Sequence, residues 1–150
     1  MNVDDLADQL ALRDLVARYA HHADRKQPAE QAAVFTVDGR VRLYDGDPDT
    51  TEPIDVVTGR DELERTIAEL IARYEVTTYL NGQSLIDVER DTATGETYCL
   101  AMHVLDEGAG RELLTMSIRY LDAFARTPGG WLIADRRLVF DWVDRRSSHA

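Results

Sequence analysis

The sequence predicts an α+β fold, with helices in the N-terminal half packed on a strongly curved antiparallel β-sheet that forms a cone around an internal cavity. Three observations predict it. Apolar residues recur at helical spacing in two segments before residue 75, four long β-type runs follow it, and the connections between those runs carry glycine. Helices first and strands afterwards is the order of an α+β chain rather than of alternating βα units. At 150 residues one domain spanning 1–150 is expected.

Leu12, Leu15, Val16, Tyr19, Ala20 and Ala23 follow the i, i+3, i+4, i+7, i+8 spacing of one helical face. Asp4, Asp5 and Asp8 sit near the start, where the helix dipole favours acids. A helix is therefore expected over about 4 to 24. Pro28 suits a first helical turn and opens a short second helix, PAEQAAVF. Asp38-Gly39 reads as a turn, followed by a strand RVRLYD at 40 to 45. DGDPDTTEP, 45 to 53, has turn chemistry throughout and reads as a loop. Gly59 and Asp61 precede a third helix whose apolar positions are Leu63, Ile67, Leu70, Ile71 and Tyr74.

The β-type runs are VTTYLNGQSLIDVE, TYCLAMHVLDE, ELLTMSIRYLDAFAR and WLIADRRLVFDWV, joined by DTATGE, GAG and TPGG. They exceed the usual five or six residues. Long strands in one sheet curl, and a curled sheet capped by helices encloses a natural ligand site.

Composition narrows the partners. Twenty-eight acids against 17 bases leave a net charge of −11, which argues against nucleic acid and anionic membrane surfaces. No apolar run approaches the length of a membrane span, and the acidic N-terminus lacks the features of a signal peptide. The single cysteine, Cys99, allows no disulfide within one chain, so a reducing, cytoplasmic setting is expected. No local metal motif, P-loop, GxGxxG, GxSxG or HExxH pattern is present, so neither metal nor cofactor is expected.

LVARYAHHAD, with Tyr19 and Asp24, then VFTVDG (34 to 39), TTYLNG (77 to 82) and SIRYLDAFARTPGGWLIADRR (117 to 137) resemble the SnoaL-like branch of the NTF2-like, cystatin-like cone superfamily. That branch includes polyketide cyclases, scytalone dehydratase and bile-acid dehydratases. The resemblance covers nearly the whole chain in order. It implies the cone fold; for the reaction it leaves a choice, because the scaffold hosts dehydratases, isomerases, cyclases, epoxide hydrolases and binding modules.

His103 is the leading candidate for chemistry. Alternation sets it on one strand face with Thr97, Cys99 and Ala101, small residues that leave room beside an imidazole. An imidazole titrates near neutrality and can take and return a proton. The resemblance implies a catalytic histidine in this strand. Tyr19 lies in the apolar stripe of the first helix, as a core aromatic or as a phenol holding a substrate oxygen; the resemblance implies the latter. Asp24 follows five residues later, about 140° round an ideal helix, and would share a site with Tyr19 only if the helix ends near Ala23. The resemblance implies an inward carboxylate at this position. Tyr79 and Asn81 share a strand face and are candidates for substrate contact, Tyr79 standing where many relatives carry histidine. His22 flanks the helical stripe and is a candidate for the cavity rim, whereas His21 falls opposite it. Arg136 and Arg137 face opposite ways on a strand. Asp141 and Trp142 either line the cavity mouth or cover a hydrophobic edge.

These readings lead to a cofactor-free lyase or isomerase of dehydratase or cyclase type, acting on a small hydrophobic carbonyl compound such as a polyketide or steroid-like ring. His103 would be the base, oriented or assisted by Asp24, with Tyr19 and Tyr79 on the developing enolate. The alternatives are a non-catalytic ligand-binding or dimerisation module, in which Asp24 and His103 form a satisfied polar pair, and an epoxide hydrolase using Asp24, an arginine and Asp122 or Asp141. Leu114, Met116 and Ile118 alternate with Leu113 and Leu121, so both sheet faces are apolar and a homodimer through the sheet is expected.

Overall fold

The computed structural model describes residues 2–149. Helix α1 spans Val3–Asp24, α2 Pro28–Ala32 and α3 Arg60–Ile71. The strands are β1 (Phe35–Tyr44), β2 (Asp55–Thr58), β3 (Val76–Glu89), β4 (Thr92–Asp106), β5 (Arg111–Thr127) and β6 (Gly130–Ser147). A capping box starts α1: Asp5 N–H donates to the Asn2 side chain at 2.8 Å, and Asn2 N–H donates back to the Asp5 carboxylate at 3.2 Å. The helix stops at Asp24, and Lys26 turns the chain with φ of 54°.

Helices precede and pack on one six-stranded, mostly antiparallel sheet of order β2-β1-β6-β5-β4-β3. Three features differ from the reading of the sequence. Residues 55–58 form β2, a strand inside what looked like loop and helix approach, and β1 runs parallel to β6. Nor is Asp38-Gly39 a turn: β1 is continuous from Phe35, and the irregularity between Phe35 and Arg40 is a bulge against β6. Three further register shifts lie between Asn81 and Ser84, Ser117 and Ile118, and Ala123 and Phe124. Each bends its strand. The sheet stays open, with β2 and β3 as its edges.

The core joins Leu12, Leu15, Val16 and Tyr19 of α1 and Leu63, Ile67 and Ile71 of α3 to one sheet face, through Phe35, Cys99, Ala101, Ile118, Tyr120, Phe124 and Ile133. Side chains also clip α1 to the sheet. Gln9 donates to the Ile86 carbonyl at 2.8 Å. At the other corner, Asp8 accepts from Trp131 Nε1 at 2.9 Å and from Arg126. The far end of the clip is Asp24, which belongs to the site. No helix among the described residues is long and apolar enough to cross a membrane.

Candidate functional site

Cross-strand register defines the inner face. Thr77 pairs with His103 and His103 with Leu114; Tyr79 pairs with Ala101 and Asn81 with Cys99. Paired residues share a face, so these side chains look toward the helices. His103 is 2% exposed. Its Nδ1 lies 3.1 Å from the Leu114 carbonyl, an acceptor only, so Nδ1 carries the proton and donates it there. Nε2 is left as an acceptor and faces the Tyr79 hydroxyl at 3.2 Å. The Tyr74 ring lies against the imidazole at a centroid distance of 4.4 Å and the Tyr79 ring meets it edge-on at 5.5 Å. Burial holds the His103 pKa below its ordinary 6.5, against opposing pulls from the Leu114 bond and the Asp24 charge. The group is a neutral base whose one lone pair, on Nε2, is met by the Tyr79 hydroxyl. Burial pushes the Tyr79 phenol upward, so it remains a donor.

Asp24 sits differently from its expected place beside the imidazole. Its carboxylate accepts from Thr77 Oγ1 at 2.9 Å and from the Tyr79 backbone N–H at 3.0 and 3.1 Å. Strand β3 is a sheet edge, so the Tyr79 amide has no neighbouring strand there, and the last residue of α1 supplies the missing acceptor. Orientation of His103 comes from the Leu114 carbonyl instead. Asp24 acts on His103 by charge and by fixing the strand that carries Tyr79.

Tyr19 is buried on the inner side. Its ring meets Phe35 at 6.0 Å and Tyr120 at 5.7 Å, both edge-on. The Arg136 guanidinium lies 4.4 Å from the centre of the Tyr19 ring and 3.8 Å from that of Tyr120. Arg136, wholly buried, holds Asp122 with two bonds of 2.7 and 2.9 Å. Burial alone would lower the Arg136 pKa; Asp122 more than offsets that and keeps it charged. Burial raises the Tyr19 pKa, with Arg136 opposing.

The remaining candidates divide. Asn81 is inner-facing, and its Nδ2 donates weakly to the Val16 carbonyl at 3.4 Å. His22 Nδ1 lies 2.9 Å from Gln27 Oε1, which holds the ring at the helix end. His21 is exposed. Trp142 does not join His103: it pairs with Ser117 on the outward face and is 52% exposed. The shift between Ser117 and Ile118 inserts Asp141 and turns Trp142 outward. Asp141 pairs with Arg119, so of the two aspartates that the epoxide hydrolase reading set beside Asp24 and an arginine, Asp122 is the one held by a buried arginine, Arg136. Arg137, facing outward, pairs with Asp49.

The family model of the SnoaL-like domain matches residues 4–137. The chain belongs to the SnoaL-like family. An uncharacterized protein of Mycobacterium tuberculosis (strain H37Rv) is 24% identical over 139 residues, covering 91% of this chain and 87% of the relative. Among solved structures, a protein of Novosphingobium aromaticivorans provisionally assigned as a scytalone dehydratase superposes with a TM-score of 0.82 at 24% identity, over 100% of this chain and 95% of that one. A hexachlorocyclohexane dehydrochlorinase, LinA type 2, gives 0.83 at 17%, over 99% and 95%. An NTF2-like protein with a cystatin-like fold, also from N. aromaticivorans, gives 0.69 at 22%, over 93% and 85%. At these identities the likeness establishes the fold.

In this SnoaL-like chain one participant and one pairing escaped the sequence reading. Tyr74 read as the end of the third helix's stripe, but α3 stops at Ile71 and the ring turns onto His103. The Asp122–Arg136 pair depends on a bulge. Continued unbroken from Thr127↔Gly130, the hairpin register would set Asp122 opposite Asp135; the shift between Ala123 and Phe124 sets it opposite Arg136.

Proposed function

We propose that this protein is a cofactor-free lyase or isomerase of the dehydratase or cyclase type, acting on a small hydrophobic carbonyl compound. The observation that carries the reading is the polarised pair at the inner face: His103, proton fixed on Nδ1 by Leu114, with Nε2 turned to the Tyr79 hydroxyl at 3.2 Å. For a dehydration, His103 Nε2 removes the proton α to the carbonyl, displacing the Tyr79 hydrogen bond. The C–H electron pair passes through the enolate into a C=C bond. The β-carbon–oxygen bond breaks, and the departing hydroxide takes the proton back from the imidazolium as water. Tyr79, freed from Nε2, donates to the enolate oxygen, with Tyr19 as the second phenol at the inner face. Asp24 favours the imidazolium by its charge and positions Tyr79 through its amide. Such acid–base chemistry supplies about 10²–10⁴-fold in rate. The small side chains of Cys99 and Ala101 beside His103, and the resemblance to dehydratases, agree with this assignment.

The test is turnover of 3-hydroxy-1-tetralone, a two-ring β-hydroxy ketone whose dehydration gives fluorescent 1-naphthol. The expected result is His103-dependent product formation that survives EDTA. Loss with EDTA and rescue by zinc or magnesium would overturn the acid–base assignment.

One observation favours the second reading, a non-catalytic binding or dimerisation module. His103 is packed between two tyrosines and Asp24 satisfies a strand edge. Ligand binding without turnover of any β-hydroxy ketone would support it. In either reading we propose a homodimer through the outer sheet face, where Leu80, Leu100 and Trp142 occupy one cross-strand row and Val76, Val104 and Leu113 another.

A further inference from the structure

His103 is out of a ligand's reach in the arrangement described. It is 2% exposed, and two rings close over it, those of Tyr74 and Tyr79. Two surface grooves of about 540 Å³ each share Glu96, Leu121 and Arg137 on the outer face, across the sheet from the imidazole. A ligand of the inner face therefore enters when one of the two rings gives way. The rings are held differently. Tyr79 sits within β3, and its N–H is accepted by both carboxylate oxygens of Asp24. Tyr74 lies in the connection 72–75 between α3 and β3, and its N–H meets the Ile71 carbonyl at a long 3.3 Å. Its own carbonyl accepts from Lys26 Nζ at 2.7 Å, across 48 positions of sequence. The flanking ion pairs, Arg73 with Glu107 at 3.7 Å and Arg111 with Glu75 at 2.9 Å, are solvent-exposed and hold the connection weakly.

Lys26 is itself in an uncommon conformation. Helix α1 closes with the Gln27 N–H on the His22 carbonyl at 2.9 Å and the Lys26 N–H on the Ala23 carbonyl at 3.1 Å, the paired bonds that wrap a helix end around a left-handed residue. Glycine suits that position best, and Lys26 occupies it with φ of 54°. A side chain kept where the backbone disfavours one points to a task for that side chain. Here it runs from the end of α1 to the Tyr74 carbonyl.

We propose that Tyr74 is a gate over Nε2 of His103 and that Lys26 is its latch. Closed, the Tyr74 ring lies 4.4 Å from the imidazole between centroids and screens it from water. Open, the connection 72–75 lifts away from Lys26, and Nε2 meets the ligand beside Tyr79. The latch is a single charge-assisted bond on an exposed side chain, strong enough to bias the connection and weak enough to release by local opening. Lys26 acts through Tyr74 and is a positioning residue. The gate rests on the reading that the ligand occupies the inner face, and it does not require His103 to be the base.

The test is modification of His103 by diethyl pyrocarbonate, which is taken up by an unprotonated imidazole nitrogen and needs no turnover. Labelling is read by peptide mass spectrometry against the exposed His21 of the same molecule. In the wild type His103 should label far more slowly than His21. Lys26→Gly relaxes the backbone and removes the latch, so it should raise the His103 rate about 3- to 10-fold, the worth of one hydrogen bond, with the melting temperature within a few degrees of wild type. Lys26→Arg keeps a donor and should stay near wild type; Tyr74→Ala removes the ring and should raise the rate further. Hydrogen exchange at the β4 and β5 amides should not change in Lys26→Gly, because the opening is local. Wild-type labelling as fast as that of His21, no increase in Lys26→Gly, or an increase matched by faster exchange throughout β4 and β5 would each overturn the gate. Turnover of 3-hydroxy-1-tetralone separates the two assignments. Ungated labelling with His103-dependent turnover intact overturns the gate alone; latch-dependent labelling with no turnover upholds it and overturns the lyase reading.

Discussion

At the scale of single residues, the state of His103 follows from its neighbours. Leu114 fixes the tautomer and burial disfavours the charged ring, so Nε2 is a base at neutral pH. The acid limb of kcat/KM should therefore fall below pH 6.5, the ordinary value for the group. Asp24 pulls the other way, because its negative charge favours imidazolium. Asp24→Asn should move that limb to still lower pH and reduce kcat more than it changes KM. Its fold should persist, since the amide oxygen still accepts from Thr77 and Tyr79. A limb unchanged by Asp24→Asn would show that the carboxylate serves only the strand edge. Stability carries the same signature. The unfolded chain takes up a proton at His103 as pH falls through 6.5 and the folded chain does so only at lower pH, so acid destabilises the fold through this residue. His103→Gln removes that contribution, and its melting temperature should decline less than wild type's between about pH 7 and pH 5, a window that brackets the ordinary imidazole pKa.

At the scale of elements, what the sequence concealed were the register shifts. The apolar stripes marked α1 and α3 because packing against a core demands them, and β3 was legible residue for residue because both its ends are turn-bounded. The inner set Thr97, Cys99, Ala101 and His103 followed from simple alternation, since β4 pairs with β5 without a break. Strand β6 is another matter. Ile133 and Arg136 both face inward although three positions apart, because the bulge opposite Ala123 and Phe124 flips the alternation. No propensity announces that residue. The same applies to Trp142, and to Gly39, which looked like a turn glycine and lies within a strand instead. A Cβ at Gly39 would stand 2.9 Å from Phe35 Cβ, 3.0 Å from the Thr36 carbonyl oxygen and 3.2 Å from that of Ile133. Gly39→Ala should cost about 1–3 kcal/mol and lower the melting temperature by several degrees. Gly82→Ala, whose Cβ would find nothing nearer than 3.8 Å, is the control and should be close to neutral. Equal effects at the two sites would mean that the β1 bulge is looser than described.

At the scale of the whole molecule, one sheet serves two surfaces. Its inner face carries the proposed acid–base pair and the core; its outer face leaves Leu80 and Trp142 more than half exposed. The loop after β1 shields only part of that side, around Val139, which is buried. A second copy related by a two-fold axis would cover the remainder. Sedimentation at micromolar concentration should give a dimer mass, and Leu100→Lys should shift it toward monomer without changing the helical content. A wild-type monomer would contradict the arrangement. The negative net charge leaves the expected ligand small and uncharged rather than polyanionic.

The account stands most directly on His103, and His103→Gln tests it, because a glutamine amide can still donate to the Leu114 carbonyl while losing the titrating ring. The measurement is turnover of 3-hydroxy-1-tetralone per folded molecule, taken beside the melting temperature. A drop in kcat of about 10²–10⁴-fold, with the melting temperature within a few degrees of wild type, is the predicted result. A sharply destabilised variant that keeps full activity per folded molecule would contradict it and make His103 a structural residue of a binding module.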